Sequence, residues 1–349
     1  MGLRARQARS APWRDVQLVL LLLGVGHTHG FEFEAFVKAP NAGKYQSFGY
    51  SVSLAADSMA VGAYDEDSCS TSVSRTAATD HDCARSGAVY IYNRNGTDAA
   101  WTFESYIKAP NAGSGDWFGY HVSLDAEEAG LTLVVGAYGE DSCSTTVMSS
   151  AVEVSRTDNN CSHAGAAYVY TRRNGEWAFE AYVKAPNAAM YAYFADSVAI
   201  SAAAGILAIG AYREGSCSTA VTRQPTSASM GCTGQGAVFV YSRIGSAWAL
   251  DAYIKAPNGE ALDFFGVSIA LTADTLAVGA YGESSCSRSV TASAANAANG
   301  CDYAGAVYVY RRASSPAERA LAPWIFDSYV KAPNAASSGW FGDSVALTR

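Results

Sequence analysis

The chain has 349 residues, 49% of them hydrophobic and 16% charged, with 24 Lys and Arg against 32 Asp and Glu. A net charge of −8, with no basic cluster beyond the first 30 residues, argues against nucleic acid and against anionic membrane surfaces as partners. The large apolar and aromatic share excludes a disordered chain and fits a packed core.

The first 30 residues stand apart. Arg4, Arg6, Arg9 and Arg14 give a basic start, and Val16 to Gly26 is nearly all apolar. This reads as a secretory signal peptide over residues 1–30, too short in its apolar part to span a bilayer. An uncleaved anchor is the alternative, because no clear small-x-small cleavage site follows. Removing the segment takes away four Arg and one Asp, leaving 20 basic and 31 acidic residues and a net charge of −11. No other apolar run reaches membrane-spanning length, so no membrane insertion of the mature chain is expected.

From residue 31 onward the sequence repeats. A lone strand-like segment, Phe31 to Lys38, runs into Lys38-Ala39-Pro40-Asn41. The same four letters return at Lys108, Lys184, Lys255 and Lys331. Phe48-Gly49 then opens a segment through Leu54 in which Phe48, Tyr50, Val52 and Leu54 alternate with small residues, the period of a strand. Its small residues would let this strand crowd a central axis. A second run, Ser58 to Tyr64, ends in Gly62-Ala63-Tyr64, a third is Gly87 to Tyr92, and a fourth is Trp101 to Lys108. Phe-Gly recurs at Phe118, Phe265 and Phe341, with Phe194-Ala195 in the third copy, and Gly-Ala-Tyr recurs at Gly136, Gly210 and Gly279. Self-similarity at this period marks a repeat architecture. Four antiparallel strands per unit predict an all-β fold, a β-propeller with blades at about 48–109, 118–185, 194–256 and 265–332. A stacked solenoid is the competing reading. Residues 341–349 would be a partial blade, so the expectation is a piece of a larger propeller with stray strands at both ends.

Each unit carries two cysteines between its second and third strands: Cys69 and Cys83, Cys143 and Cys161, Cys217 and Cys232, Cys286 and Cys301. Pairing within the loop is the only scheme that every unit can satisfy alone. Closing a loop of about 15 residues is worth roughly 3 kcal/mol in the chain-entropy model. Such bonds imply an oxidising compartment, secreted or at the cell surface. Zinc is the rival reading, and these spacings lack the close ligand pair it needs. Two glycosylation sequons, at Asn95 and Asn160, agree with secretion.

The paired Phe-Gly and Gly-Ala phrases on consecutive strands resemble the FG-GAP repeat. That family builds the seven-bladed propeller at the head of integrin α chains and of many secreted microbial and algal proteins. The resemblance covers residues 31–349 and implies a binding or adhesion role for an extracellular protein or glycan. It departs from the family in two ways. The family's proline after Gly-Ala is Tyr64, Tyr138, Tyr212 and Tyr281 here. The carboxylate-rich loop that holds calcium in integrins is Ala55-Ala56-Asp57-Ser58 in the first unit and Ala202-Ala203-Ala204-Gly205 in the third. One carboxylate or none cannot supply calcium's six to eight oxygens, so neither calcium nor any other metal or cofactor is carried over.

A second acidic series follows the second strands: Asp65, Glu66 and Asp67, then Glu140 and Asp141, then Glu214 and Glu283. Two readings stay open for it, a structural ion pair with the repeated lysine and a weak cation or ligand site. Trp101, Trp177, Trp248 and Trp324 start the fourth strands and read as inter-blade packing rather than a sugar platform. No catalytic string is present, and His81, His121 and His163 each occur once at unrelated places. The expected role is therefore not enzymatic but that of an extracellular binding module, its partner seated on the stapled-loop face and not on the face bearing Asn95. The alternative is an accessory propeller of a secreted hydrolase whose catalytic part lies beyond residue 349.

Overall fold

A computed structural model describes residues 33–96, 99–155, 158–225, 230–293 and 299–348. The leader lies outside these residues. The fold is all-β, with four antiparallel sheets that follow one another along the chain like propeller blades. Blade 1 holds β1 (Ser51–Ala55), β2 (Ser58–Ala63), β3 (Ala88–Asn93) and β4 (Thr102–Ile107). Blade 2 holds β5 (His121–Glu127), β6 (Gly130–Ala137), β7 (Ala166–Arg173) and β8 (Glu176–Val183). Blade 3 holds β9 (Phe194–Ser201), β10 (Ile206–Ala211), β11 (Val221–Thr222), β12 (Ala237–Ile244) and β13 (Ala247–Ile254). Blade 4 holds β14 (Ser268–Leu271), β15 (Thr275–Ala280), β16 (Val290–Thr291), β17 (Ala306–Arg312) and β18 (Trp324–Val330).

The innermost strands pack in sequence, β1 on β5, β5 on β9 and β9 on β14. Short polar side chains make this approach possible by taking up the next blade's amides. Leu124 N–H donates to Ser53 Oγ at 2.9 Å, Ile200 N–H to Ser123 Oγ at 3.2 Å and Ala202 N–H to Asp125 Oδ2 at 2.8 Å. Apolar residues of consecutive blades fill the space behind, with Phe118, Val122 and Leu133 of blade 2 meeting Val89, Ile91 and Ile107 of blade 1. Among the described residues no ladder joins the opening segment to residues 341–347.

The Phe-Gly phrase is not part of a regular strand in blades 1, 2 and 4, which corrects the alternation expected from Phe48. Ser47 and Gly49 have φ of 53° and 88°, so the chain turns there and β1 begins only at Ser51. The turn sends Phe118 into the blade, fully buried against Tyr168 and Tyr170, and brings the Gly119 carbonyl onto blade 1. A Cβ on Gly62 would sit 2.0 Å from that carbonyl. Gly210 meets the Gly266 carbonyl and Gly279 the Gly342 carbonyl in the same way. The two phrases are thus complementary halves of one inter-blade contact, and its Gly-Ala-Tyr side admits only glycine.

Blades are not purely four-stranded either. Each loop between the second and third strands runs back along the outer edge of its blade. Ser74, Met148, Thr222 and Thr291 sit opposite Tyr106, Tyr182, Tyr253 and Tyr329 of the fourth strands. These four residues each lie five positions after the first cysteine, and in blades 3 and 4 they form the short strands β11 and β16. The loops therefore cover the edge that would otherwise template aggregation. Among the described residues two short α-helices interrupt the strands, α1 (Ala151–Val154) in the second stapled loop and a capped helix α2 (Pro316–Leu321) inserted between β17 and β18.

Candidate functional site

Strand polarity puts the stapled loops and the Lys-Ala-Pro-Asn links on one edge of every blade. The cysteines bond as Cys69–Cys83, Cys143–Cys161, Cys217–Cys232 and Cys286–Cys301, each within its own loop. Asp67 and Asp141 close the base of the first two loops. Asp67 Oδ1 accepts the Arg85 amide at 2.8 Å, and Asp141 Oδ1 accepts the His163 amide at 2.7 Å. Asp65 accepts from Ser47 Oγ at 2.8 Å. Asn95 and Asn160 are both exposed, Asn95 on the β3–β4 hairpin and Asn160 within the second stapled loop.

The structure brings Glu66, Glu140, Glu214 and Glu283 to one repeated position, and that position is interior. Their exposures are 0, 1, 4 and 2%. Lys108, Lys184 and Lys255 reach Glu66, Glu140 and Glu214 at 2.9, 2.8 and 2.7 Å, and Lys331 pairs likewise with Glu283. Each pair joins the fourth strand of a blade to that blade's own stapled loop. Burial pulls the Lys108, Lys184 and Lys255 ammonium groups down, and the adjacent glutamates pull them back up. The glutamates also accept from the preceding link, with Asn111 Nδ2 at 3.1 Å from Glu140 and Asn187 Nδ2 at 3.1 Å from Glu214. A ligand could reach these carboxylates only by displacing a lysine. Of the acidic series, this leaves Asp65, Asp67 and Asp141 at the surface, pinned into loop bases. No three His, Cys, Asp or Glu side chains converge as metal ligands among the described residues.

The rest of the link is equally occupied. Tyr92, Tyr170, Tyr241 and Tyr310 hydroxyls donate to the carbonyls of Lys38, Lys108, Lys184 and Lys255 at 2.7–3.0 Å. Tyr90, Tyr168 and Tyr308 hydroxyls donate to the Oδ1 atoms of Asn41, Asn111 and Asn258. In blade 3 the equivalent residue is Phe239, and Asn187 Oδ1 is correspondingly buried without a partner. The tryptophans pack between blades. Trp177 Nε1 donates to Glu104 of blade 1 and Trp248 Nε1 to Glu180 of blade 2. Asp116 and Asp263 occupy one position in two of the links, and burial pushes their carboxyls up to about 8 and about 7. In the first link Gln46 stands there, its Oε1 accepting the Gly43 amide just as Asp116 accepts the Gly113 amide.

Sequence reasoning missed what lies on the outer surface of this edge. The four tyrosines that replace proline point to it. They are half-buried and join residues that flank the Phe-Gly phrases in a run of aromatic contacts across the blades. Tyr64 meets Tyr120 at 5.3 Å between centroids, Tyr120 meets Tyr138 at 4.4 Å, and Tyr138 meets Trp117 at 4.8 Å and Tyr193 at 5.4 Å. The run continues through Tyr212 and Phe264 to Tyr281 and Tyr303. Trp117, Tyr193, Phe264 and Trp340 occupy one repeat position and have φ of 56°, 53°, 58° and 49°. Such backbone is rare for bulky residues, and here it is the turn before the first strand of each repeat, shared with Ser47 at a φ of 53°. Beneath the run Asp196 is pushed up to about 7 by burial and by the nearby Asp343. Beyond blade 4, Phe264, Tyr281, Tyr303, Ser338, Trp340 and Asp343 line an open cleft of about 450 Å³.

The FG-GAP repeat family model matches residues 31–92, 101–170 and 248–310. No curated protein matches the chain. The unmatched stretch contains most of blade 3, where Ala195 stands in the glycine position with a φ of 69°. More than half of the chain is matched, the matches fall in phase with the blades, and the family's two glycine phrases meet where the blades touch: the chain belongs to the FG-GAP repeat family.

Proposed function

We propose that the chain is an extracellular binding module that presents its stapled loops and the adjoining aromatic run to a protein or glycan partner. The observation that carries this reading is a contrast within each repeat. The Lys-Ala-Pro-Asn letters of the link and the paired glutamate recur from blade to blade, whereas the positions just above them change freely. Ser47, Trp117, Tyr193, Phe264 and Trp340 share one position, and Asp65, Gly139, Arg213 and Gly282 share another. Variation on a rigid frame is where recognition is usually placed. Half-exposed tyrosine and tryptophan offer contact area at low entropic cost. The disulfides limit what a partner must order in the loops. They also fit an oxidising compartment. No described helix is long and apolar enough to cross a membrane.

The reading is tested by binding the purified chain to an array of extracellular proteins and glycans, then repeating the screen with new N-glycans. Glycans placed on the loops at residues 70–80 and 218–225 should abolish the signals. A glycan on the β3–β4 hairpin at Asn95 should leave them. Loss of signal only with the hairpin glycan would overturn the assignment. A glycan at Asn160 would itself stand on the proposed face, so its removal should raise binding.

A further inference from the structure

Tyr50 and Tyr120 hold one position in two adjacent repeats, directly after the Phe-Gly phrases of blades 1 and 2. Tyrosine stands there in no other repeat, the later copies having Asp196, Val267 and Asp343. The two rings meet across the boundary between the blades. The Tyr50 hydroxyl donates to the Tyr120 hydroxyl at 2.8 Å, the ring centroids are 4.8 Å apart, and the planes are tilted by 40°. This lies between the two arrangements that aromatic packing favours, the offset parallel stack and the perpendicular edge-to-face contact. The tyrosines around the pair adopt the second. Tyr64 crosses Tyr50 at 72° and Tyr120 at 68°, and Tyr138 crosses Tyr120 at 78°. Because both the oxygens and the ring centres of Tyr50 and Tyr120 are close, these rings lie side by side, and the carbons next to each hydroxyl fall between the near points. Two phenols joined through those carbons by one C–C bond have the same arrangement: hydroxyls side by side, a twist between the planes, and centroids only slightly closer.

We propose that Tyr50 and Tyr120 form a site for oxidative cross-linking, at which a one-electron oxidant of the peroxidase and hydrogen peroxide class joins blades 1 and 2 by a dityrosine bond. Each tyrosine gives up one electron and its phenolic proton. The two radicals couple through the ring carbons next to the oxygens, forming one C–C bond. The hydrogen on each of those carbons then moves to the oxygen and restores the phenol. Two C–H bonds are lost in all, and one hydrogen peroxide is reduced to two waters. Proximity supplies what free tyrosines lack, because the second radical forms in contact with the first and need not meet it by diffusion. Access for the oxidant does not depend on either end of the chain. Tyr120, Trp117 and Tyr138 are half-buried rings in the interior of the arc, linked to one another at 4.4–4.8 Å, so an electron can leave through any of them. Cross-linking needs no partner, so its failure would leave the binding reading intact.

The test treats the full chain, pure and dilute, with a heme peroxidase and hydrogen peroxide. N-acetyltyrosine in a parallel reaction confirms that the oxidant couples phenols. The chain should stay monomeric, lose two hydrogen atoms in its intact mass and gain the blue fluorescence of dityrosine. Peptide mapping should find one linked pair, carrying Tyr50 and Tyr120. Closing the long loop between these residues constrains the unfolded chain, so the treated protein should melt higher than the untreated one. Tyr50→Phe and Tyr120→Phe, which remove only a hydroxyl, should each abolish the fluorescence, and Tyr45→Phe should keep it. Tyr45 and Tyr191, 85 and 50% exposed, are where random collision would couple the rings. Links formed between chains through those residues, or fluorescence that survives in Tyr50→Phe, would overturn the proposal. So would an unchanged mass while N-acetyltyrosine is coupled. The mass and the mapping come from the unaltered chain, so they decide the matter even where a variant fails to fold.

Discussion

Two layers of the same edge, a few ångströms apart, follow opposite rules. The inner layer is a buried network of Lys, Glu, Asn and Tyr that recurs from blade to blade with nearly constant distances, Phe239 replacing one tyrosine in blade 3. The outer layer uses the same backbone positions to carry serine, tryptophan, tyrosine, phenylalanine, arginine or glycine. The difference teaches how a repeat protein frees a surface to vary. The lysine and glutamate hold the root of each stapled loop to the fourth strand, and the disulfide closes the loop above it. Residues beyond those two anchors then contribute little to stability.

If the inner layer is structural, breaking it should give the largest effect. Lys184→Met leaves Glu140 buried without its cation and should cost about 3–5 kcal/mol. Chemical denaturation checks this, and adding Glu140→Gln to the same chain should recover part of the loss. Next comes the staple. Replacing Cys143 and Cys161 by serine should cost roughly 2–4 kcal/mol. The blade strands should keep their amide protection while residues 144–160 lose it, which hydrogen exchange would show.

The buried link carboxylates sharpen the comparison through pH. Asp116 has an ordinary value of 3.8 and is raised to about 8 in the fold. A carboxyl raised on folding adds stability below its unfolded value and loses it as the pH climbs through the folded one. Asp116→Asn removes this titration and keeps a neutral acceptor, as Gln46 does in the first link. Its melting temperature should therefore gain on the parent's between about pH 4 and pH 8 and keep a constant lead above that. A constant difference across that range would contradict the assignment. The smallest effect is a repair. Phe239→Tyr supplies the hydroxyl that Asn187 Oδ1 lacks and should add about 1 kcal/mol, measured by denaturation.

Much of the inner layer was legible in the sequence because its parts recur in phase. The all-β class, the blade period, the in-loop cysteine pairs and a lysine near an acidic series could all be read directly. Geometry hidden from a one-dimensional pattern accounts for the rest. Phe48 looks like the start of an alternating strand, yet positive φ at Ser47 and Gly49 makes it a turn. Only the three-dimensional structure reveals that the glycines meet across blades, or that Ser74 and its equivalents return to the blade edge. Ser315-Pro316 followed by Glu318 is a readable capping box, and it does form α2. The aromatic run left one mark in the sequence, tyrosine at the family's proline, whose meaning depends on neighbours some 50–70 residues away.

The separation of a fixed interior from an exchangeable surface is tested most directly by a loop graft. The segments between Cys217 and Cys232 and between Cys286 and Cys301 have the same length, and β11 and β16 lie at the same offset within them. Copying the residues between Cys286 and Cys301 into the third blade exchanges the surface and leaves every buried lysine, glutamate and staple in place. The measurement is the melting temperature of the graft together with its binding pattern on the extracellular array. The account predicts melting within a few degrees of the parent and a changed set of partners. Loss of the cooperative transition, or an unchanged binding pattern in a stable graft, would contradict it.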